Sequence, residues 1–219
     1  KVYEPAVPVL TTFVLPGVIQ VGTSLNLGVV HVGDVASQVL VINNAATGAL
    51  TDSLIGSIAT IGGSGFSSSG TLGTVTAGNG GTLDISLSTT ASGTFAGAAT
   101  LALSSHDPDL ADLALNVSPV TLTGTVDNYA TAAIVQSSGA GTLVQNGTNY
   151  ALNLGTIMAG STLATVLAAK NIASGLADLL SGSFVVAGTS GGFINNGFTA
   201  FTGLGAGASD PNLNINVGA

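Results

Sequence analysis

Leu25-Asn26-Leu27-Gly28-Val29-Val30-His31-Val32-Gly33 returns later in the chain as Leu152-Asn153-Leu154-Gly155-Thr156-Ile157-Met158-Ala159-Gly160. The offset is 127 residues. Other landmarks keep step with it: Asn44 with Asn171 and Gly65-Phe66 with Gly192-Phe193 at the same offset. Leu83-Asp84-Ile85-Ser86-Leu87 meets Leu213-Asn214-Ile215-Asn216-Val217 at 130, which puts three extra residues in the intervening loop. Tyr3 and Tyr129, 126 apart, stand at the head of their units. The 219 residues therefore read as two copies of one module, not as one large domain. Nothing after Ala219 answers Thr90 to Asp127, so the second copy is expected to lack the last two strands of the first.

Outward from this mark the pattern is that of strands. Leu25, Leu27 and Val29 alternate, with Gly28 placed to permit a bulge or kink. Val39 to Ile42 is an apolar run closed by Asn43-Asn44, a turn-forming pair. Leu83, Ile85 and Leu87 alternate with Asp84, Ser86 and Ser88, the period of a half-buried strand. Leu50 to Ile61 fits a helical period in its isoleucines, but its Gly and Thr favour a strand. Phe66 follows a Gly-Gly-Ser-Gly turn and is a candidate core aromatic, and Gly93 to Ser104 and Ala114 to Val126 supply two more strands. Asp107 followed by Pro108 suits the start of a single helical turn between them. Seven or eight short strands in about 105 residues suit an immunoglobulin-like sandwich. The expected divisions are residues 1–22 as a linker or an edge strand from a preceding unit, 23–127 as the first sandwich, 128–148 as a linker and 149–219 as the incomplete second sandwich.

Composition narrows the function. Charged residues make up 5% of the chain and hydrophobic ones 46%, yet no apolar run approaches the roughly 20 residues that span a bilayer. Two Lys, no Arg and a net charge of −8 leave almost no cations to displace counterions from phosphates, so neither nucleic acid nor an anionic membrane surface is an expected partner. With no cysteine there are no disulfides, thiol nucleophiles or thiolate metal sites.

Chemistry-bearing residues are sparse. Asp107, Asp109 and Asp112 form the one carboxylate cluster and are the candidate metal ligands, for calcium, which takes 6–8 oxygens. The spacing lacks the D-x-D-x-D-G…E loop, and Glu4 is the only glutamate, so a solvated, capped turn is the competing reading. No other cofactor is expected. His31 and His106 are the only imidazoles; His31 gives way to Met158 in the second copy, which removes the case for catalysis there. The glycine-rich stretches at 62–65 and 188–192 have no following Gly-Lys-Ser/Thr and read as turns, not phosphate loops. The chain is read as non-catalytic.

The order of these motifs (Leu-Asn-Leu-Gly-x-x-x-x-Gly, a strand ending in Asn, Gly-Phe, Ala77-Gly78, the alternating strand and the closing Val120 to Val126) resembles the bacterial choice-of-anchor D repeats. These are related to the immunoglobulin-like ASPM-SPD-2-Hydin domains. The second copy matches again at Leu152 to Gly160, Asn171, Asp178 to Ser183, Gly192-Phe193, Ala206-Gly207 and Leu213 to Val217. The resemblance implies an all-β fold of two tandem immunoglobulin-like sandwiches in a long exported chain, placed outside the cell or on a bacterial surface. It carries no catalytic residues. The implied role is a spacer or fibre module whose partners are neighbouring repeats or further copies of the chain; the alternative is an adhesin module contacting a glycan or a surface protein. Two routes would complete the second copy: continuation of the chain, or strand addition by Val7 to Val21 of a neighbouring copy.

Overall fold

The structure, a computed structural model, describes residues 3–13, 24–188 and 192–218, and every element among them is a β-strand. The chain divides into two units, Lys1–Asp127 and Asn128–Ala219. The first holds ten strands: β1 (Pro8–Phe13), β2 (Ser24–His31), β3 (Ala36–Asn44), β4 (Ser53–Gly62), β5 (Phe66–Ser69), β6 (Leu72–Val75), β7 (Gly80–Leu87), β8 (Gly93–His106), β9 (Leu113–Leu115) and β10 (Val120–Asp127). One sheet runs β1-β3-β7-β5; the other runs β2-β10-β8-β4-β6, with β9 on β8. This is an immunoglobulin-like sandwich with a parallel β2–β10 pair at one edge.

Alternation decides which side chains meet between the sheets. Leu40, Ile42, Leu83, Ile85 and Leu87 from the first sheet face Leu25, Leu54, Leu101, Leu103, Val120 and Leu122 from the second in one buried cluster. On β7 and β10 the outward positions between them are polar, Asp84 and Ser86 on one and Thr121, Thr123 and Thr125 on the other. Gly28 does what its position suggests. Leu27 and Gly28 lie opposite the single residue Gly124 where the β2–β10 register shifts, and Gly28 has φ +81°, which costs glycine nothing. The Asn26 side chain accepts the Gly28 amide at 2.9 Å and fixes the bend.

Four expectations change. Residues 3–13 are not a linker: β1 runs antiparallel to β3 from Pro8↔Asn44 to Phe13↔Val39, an edge strand of the first unit itself. An edge is where prolines can sit in a sheet, since one side of the strand needs no donor. The remainder of 1–22, apart from these residues, lies outside the described residues. Likewise 128–148 is not a linker but contains β11 (Ala132–Gly139) and β12 (Thr142–Asn146), and β11 pairs with a strand more than twenty residues on. The Asp107 segment forms a β-turn, not a helical turn: the Leu110 amide donates to the Asp107 carbonyl, with Pro108 second in the turn. Pro119, which has no amide to donate, separates β9 from β10 where one strand was expected.

The second unit continues with β13 (Asn149–Asn153), β14 (Thr162–Asn171), β15 (Leu180–Gly182), β16 (Phe193–Asn196), β17 (Phe201–Leu204) and β18 (Ser209–Gly218). Its sheet β11-β14-β18-β16 repeats the order of β1-β3-β7-β5. Among the described residues the other sheet is represented by two fragments, β12-β13 and β15-β17. The strands without counterparts are β8 and β10, with the short β9 between them, as expected from the repeat.

Candidate interaction site

A buried asparagine builds each unit around itself. The Asn44 amide nitrogen donates to the carbonyls of Asp52 (3.0 Å) and Val75 (3.2 Å), and its oxygen accepts the amides of Val7 (3.1 Å) and Ala46 (3.2 Å). Asn171 does the same to Asp178 (3.0 Å), Leu204 (3.1 Å), Thr131 (3.1 Å) and Ala173 (3.1 Å). Both side chains are fully buried and use all four hydrogen-bonding positions. The expected turn-forming pair is thus a junction of four segments.

The same bonding corrects the register at the unit heads. Glu4 bonds the Leu50 carbonyl and the Asp52 amide, and Asn128 bonds those of Leu176 and Asp178. Glu4 therefore matches Asn128 and not Ala130, so Tyr3 and Tyr129 are not equivalent.

What β8 covers in the first unit lies open in the second. Phe66 is 7% exposed, its ring seated where a side chain on Gly97 of β8 would have to go. Phe193, its counterpart, is 47% exposed. Leu25 and Leu27 are buried, whereas Leu152 and Leu154 are only half-buried. Among the described residues twenty apolar side chains are buried in the first unit and four in the second: Leu167, Ala168, Ala169 and Leu213. The second core is therefore half of a sandwich interior.

Over this half-core lies a cavity of about 400 Å³, walled by β15, β17 and the β12–β13 hairpin above β11 and β14. Ile134, Tyr150, Ala169, Leu180, Phe184 and Phe201 give it an apolar lining. Phe184 meets Phe198 edge-on at 5.6 Å between ring centroids and Phe201 at 5.9 Å. Ala169 stands where the first unit has Ile42, which deepens the floor. β15–β17 repeats β4–β6 residue for residue: Leu54 lies opposite Val75 and Gly56 opposite Leu72, while Leu180 lies opposite Leu204 and Gly182 opposite Phe201. The repeat match at Asp178 to Ser183 includes Leu180 and Gly182 but does not mark them as cavity residues, and nothing in the sequence singles out Phe184 and Phe201 for this place.

The carboxylates singled out for calcium do not gather. Asp107 turns inward and its Oδ1 accepts the Asp109 amide at 2.8 Å. Asp112 instead reaches His106, Oδ1 to Nδ1 at 2.7 Å, with both side chains well exposed (47% and 38%). Among the described residues no group of three or more His, Asp or Glu side chains converges on a point that could hold a metal. His31 lies 3.6 Å from Asp34 at the end of β2. Among the described residues no helix is long and apolar enough to cross a membrane.

Comparison with known proteins adds little to this geometry. No family model and no curated protein matches the chain. A solved structure, a protein of unknown function from Porphyromonas gingivalis W83, resembles it with a TM-score of 0.36 and 13% identity, over 90% of this chain and 80% of that one.

Proposed function

We propose that the chain is a non-catalytic structural repeat pair of a long exported bacterial protein, a spacer or fibre module at the cell surface or outside the cell. The observation that carries the reading is the repetition of one mechanical plan, the four-segment Asn44 and Asn171 junctions under equivalent sheets. The cavity walls carry hydroxyls (Thr148, Tyr150, Ser181, Ser183) and the Gln145 amide, with no His, Asp, Glu or Lys side chain among the lining residues. A surface of Ser, Thr, Asn and Gly with two lysines suits a chain kept soluble by hydroxyls and amides. Antibody raised to the chain, applied to intact and to lysed source cells, tests it: labelling of intact cells is expected, and signal confined to lysed cells would sink the reading.

One observation favours a second reading, an adhesin-type module. Tyr150, Phe184 and Phe201 offer ring faces at one cavity, the equipment for holding a sugar or an apolar side chain. A glycan array discriminates: a hit abolished by Phe184→Ala supports the adhesin, and a blank array leaves the spacer.

A further inference from the structure

We propose that the Asp107–Pro108 peptide bond is a self-processing site: the Asp107 carboxyl attacks its own backbone carbonyl and, with one water, cuts the chain between β8 and β9. This is a single event in the chain's own backbone, not turnover of a substrate, and it stands whether or not the spacer reading holds.

Three observations carry it. The first is the bond. Its nitrogen is proline's, a tertiary amide that leaves more readily than a secondary one once it takes a proton, and the residue before it supplies a carboxyl. The second is the turn around that bond. Asp107 Oδ1 accepts the Asp109 amide at 2.8 Å, and the Asp107 carbonyl oxygen accepts the Leu110 amide at 3.3 Å. The Asp107–Pro108 C–N bond therefore belongs to two hydrogen-bonded rings at once. One ring holds the carboxyl, on a residue only 8% exposed, against its own backbone, which is the proximity an intramolecular attack needs. The other aims an N–H at the oxygen on which charge develops. The third is a contrast within the chain. Asp210–Pro211 is the same pair of residues in β18, where Asp210 lies opposite Ala169 and its carboxylate accepts the Asn212 side-chain amide. One pair sits in a turn that gathers the reacting groups, the other in a strand that does not.

The chemistry closes on these atoms and water. Oδ2 of Asp107, the oxygen not held by the Asp109 amide, forms a C–O bond to the Asp107 carbonyl carbon, and the carbonyl electron pair moves onto its oxygen beneath the Leu110 N–H. As that pair returns, the C–N bond breaks; its electrons stay on the Pro108 nitrogen, which takes a proton from water. Asp107 is left as a cyclic succinic anhydride. Water opens it, giving Asp107 a backbone carboxyl and a side-chain carboxyl, and Pro108 a free amino terminus. Nothing is oxidised or reduced, and one water is consumed. The cut does not open the sandwich. β9 stays paired to β8, and β10 to β2 and β8, with Val120, Leu122 and Val126 in the core. A covalent tie in the first unit thus becomes a strand-paired one, which stretching or denaturant can release.

The test incubates the purified 219-residue chain in mildly acidic buffer made with oxygen-18 water and follows denatured mass over days to weeks. Fragments 1–107 and 108–219 are expected, at least about tenfold faster than cutting at Asp210–Pro211. In urea, where both turn and strand are lost, the two bonds should be cut at similar rates. The label should appear in the Asp107 side-chain carboxyl as well as in the new backbone carboxyl, because water can open the anhydride at either carbon. Asp107→Asn keeps an oxygen for the Asp109 amide and should slow cutting by about tenfold or more, as should Pro108→Ala, which keeps the carboxyl and suits the same turn. Circular dichroism establishes that each variant is folded. An uncut chain would overturn the proposal, and so would equal cutting of the two bonds while folded or a preference that persists in urea. Label confined to the backbone carboxyl, the mark of direct hydrolysis or of a protease, would overturn it too, as would an unchanged rate in folded Asp107→Asn.

Discussion

The two units share a sheet, a buried asparagine and a bent first strand, and differ in whether the second sheet is filled. Phe66 and Phe193 begin equivalent strands after equivalent glycines, each pairing with the strand that carries the alternating Leu-x-Ile motif. One is core and the other is half in solvent. Local sequence therefore sets strand and register, while burial is set by a strand distant in the chain. What the second unit retains is the part of the fold that depends on backbone bonding. What it lacks is most of the apolar area that stabilises a sandwich, roughly 25 cal/mol for each Å² buried.

The junction asparagines test the shared half, and the largest effect is expected there. Asn44→Ala leaves two amides and two carbonyls without their partner in a buried place, at a cost of about 4 kcal/mol. Asn171→Ala removes the same four bonds and should cost a similar amount locally. Native-state hydrogen exchange read separately in β3 and β14 makes the comparison. If Asn171→Ala proved nearly silent while Asn44→Ala did not, the junction would depend on the filled sheet and the two halves of the fold would not be separable.

Next comes the unshared half. Phe66→Ala should cost about 3 kcal/mol, a cavity in a closed core, and Phe193→Ala under about 1 kcal/mol, because its ring is already half exposed. Equal costs would mean that something covers Phe193. Gly56→Ala and Gly182→Ala repeat the contrast on the opposite sheet. The first must push β8 aside at about 2 kcal/mol, while at the second the nearest atoms belong to the Phe201 ring, whose turning costs about 0.5 kcal/mol. Urea denaturation of the four single variants, read by exchange in each unit, gives the ordering.

These pairs also show where the sequence was readable. Leu83 to Leu87 and Val120 to Val126 announce themselves because alternation is local, and both are strands with alternating burial. The Leu-Asn-Leu-Gly mark fixed the repeat and the bulge, since both rest on one glycine and the side chain two residues before it. The first-sheet edges β1 and β11 were not readable. Proline and mixed polarity blur their period, and the partner that makes them strands lies about thirty residues away in sequence. Asn44 was misread for a related reason: at a strand end it looks like a turn former, and the four segments that converge on it are not neighbours in sequence. The cavity was hidden because no residue in it carries a charge or a motif.

The smallest effects separate the three aspartates. His106 and Asp112 form a close pair, but both are well exposed, and such pairs contribute about 0–1 kcal/mol after screening. Asp112→Ala should therefore shift stability by no more than about 0.5 kcal/mol, and Asp109→Ala by no more than that. Asp107 differs in kind. It is 8% exposed and its carboxylate holds the Asp109 amide, so Asp107→Ala should cost about 1–2 kcal/mol by releasing the turn between β8 and β9. A calcium site would give another ordering, because all three carboxylates would then matter and added metal would raise the melting temperature in proportion to the logarithm of its concentration. Thermal melts of the chain and its three variants, with calcium and with chelator, distinguish the two. The hydrogen bonding of the turn gives the expected ordering: one sensitive aspartate, Asp107, and two indifferent ones.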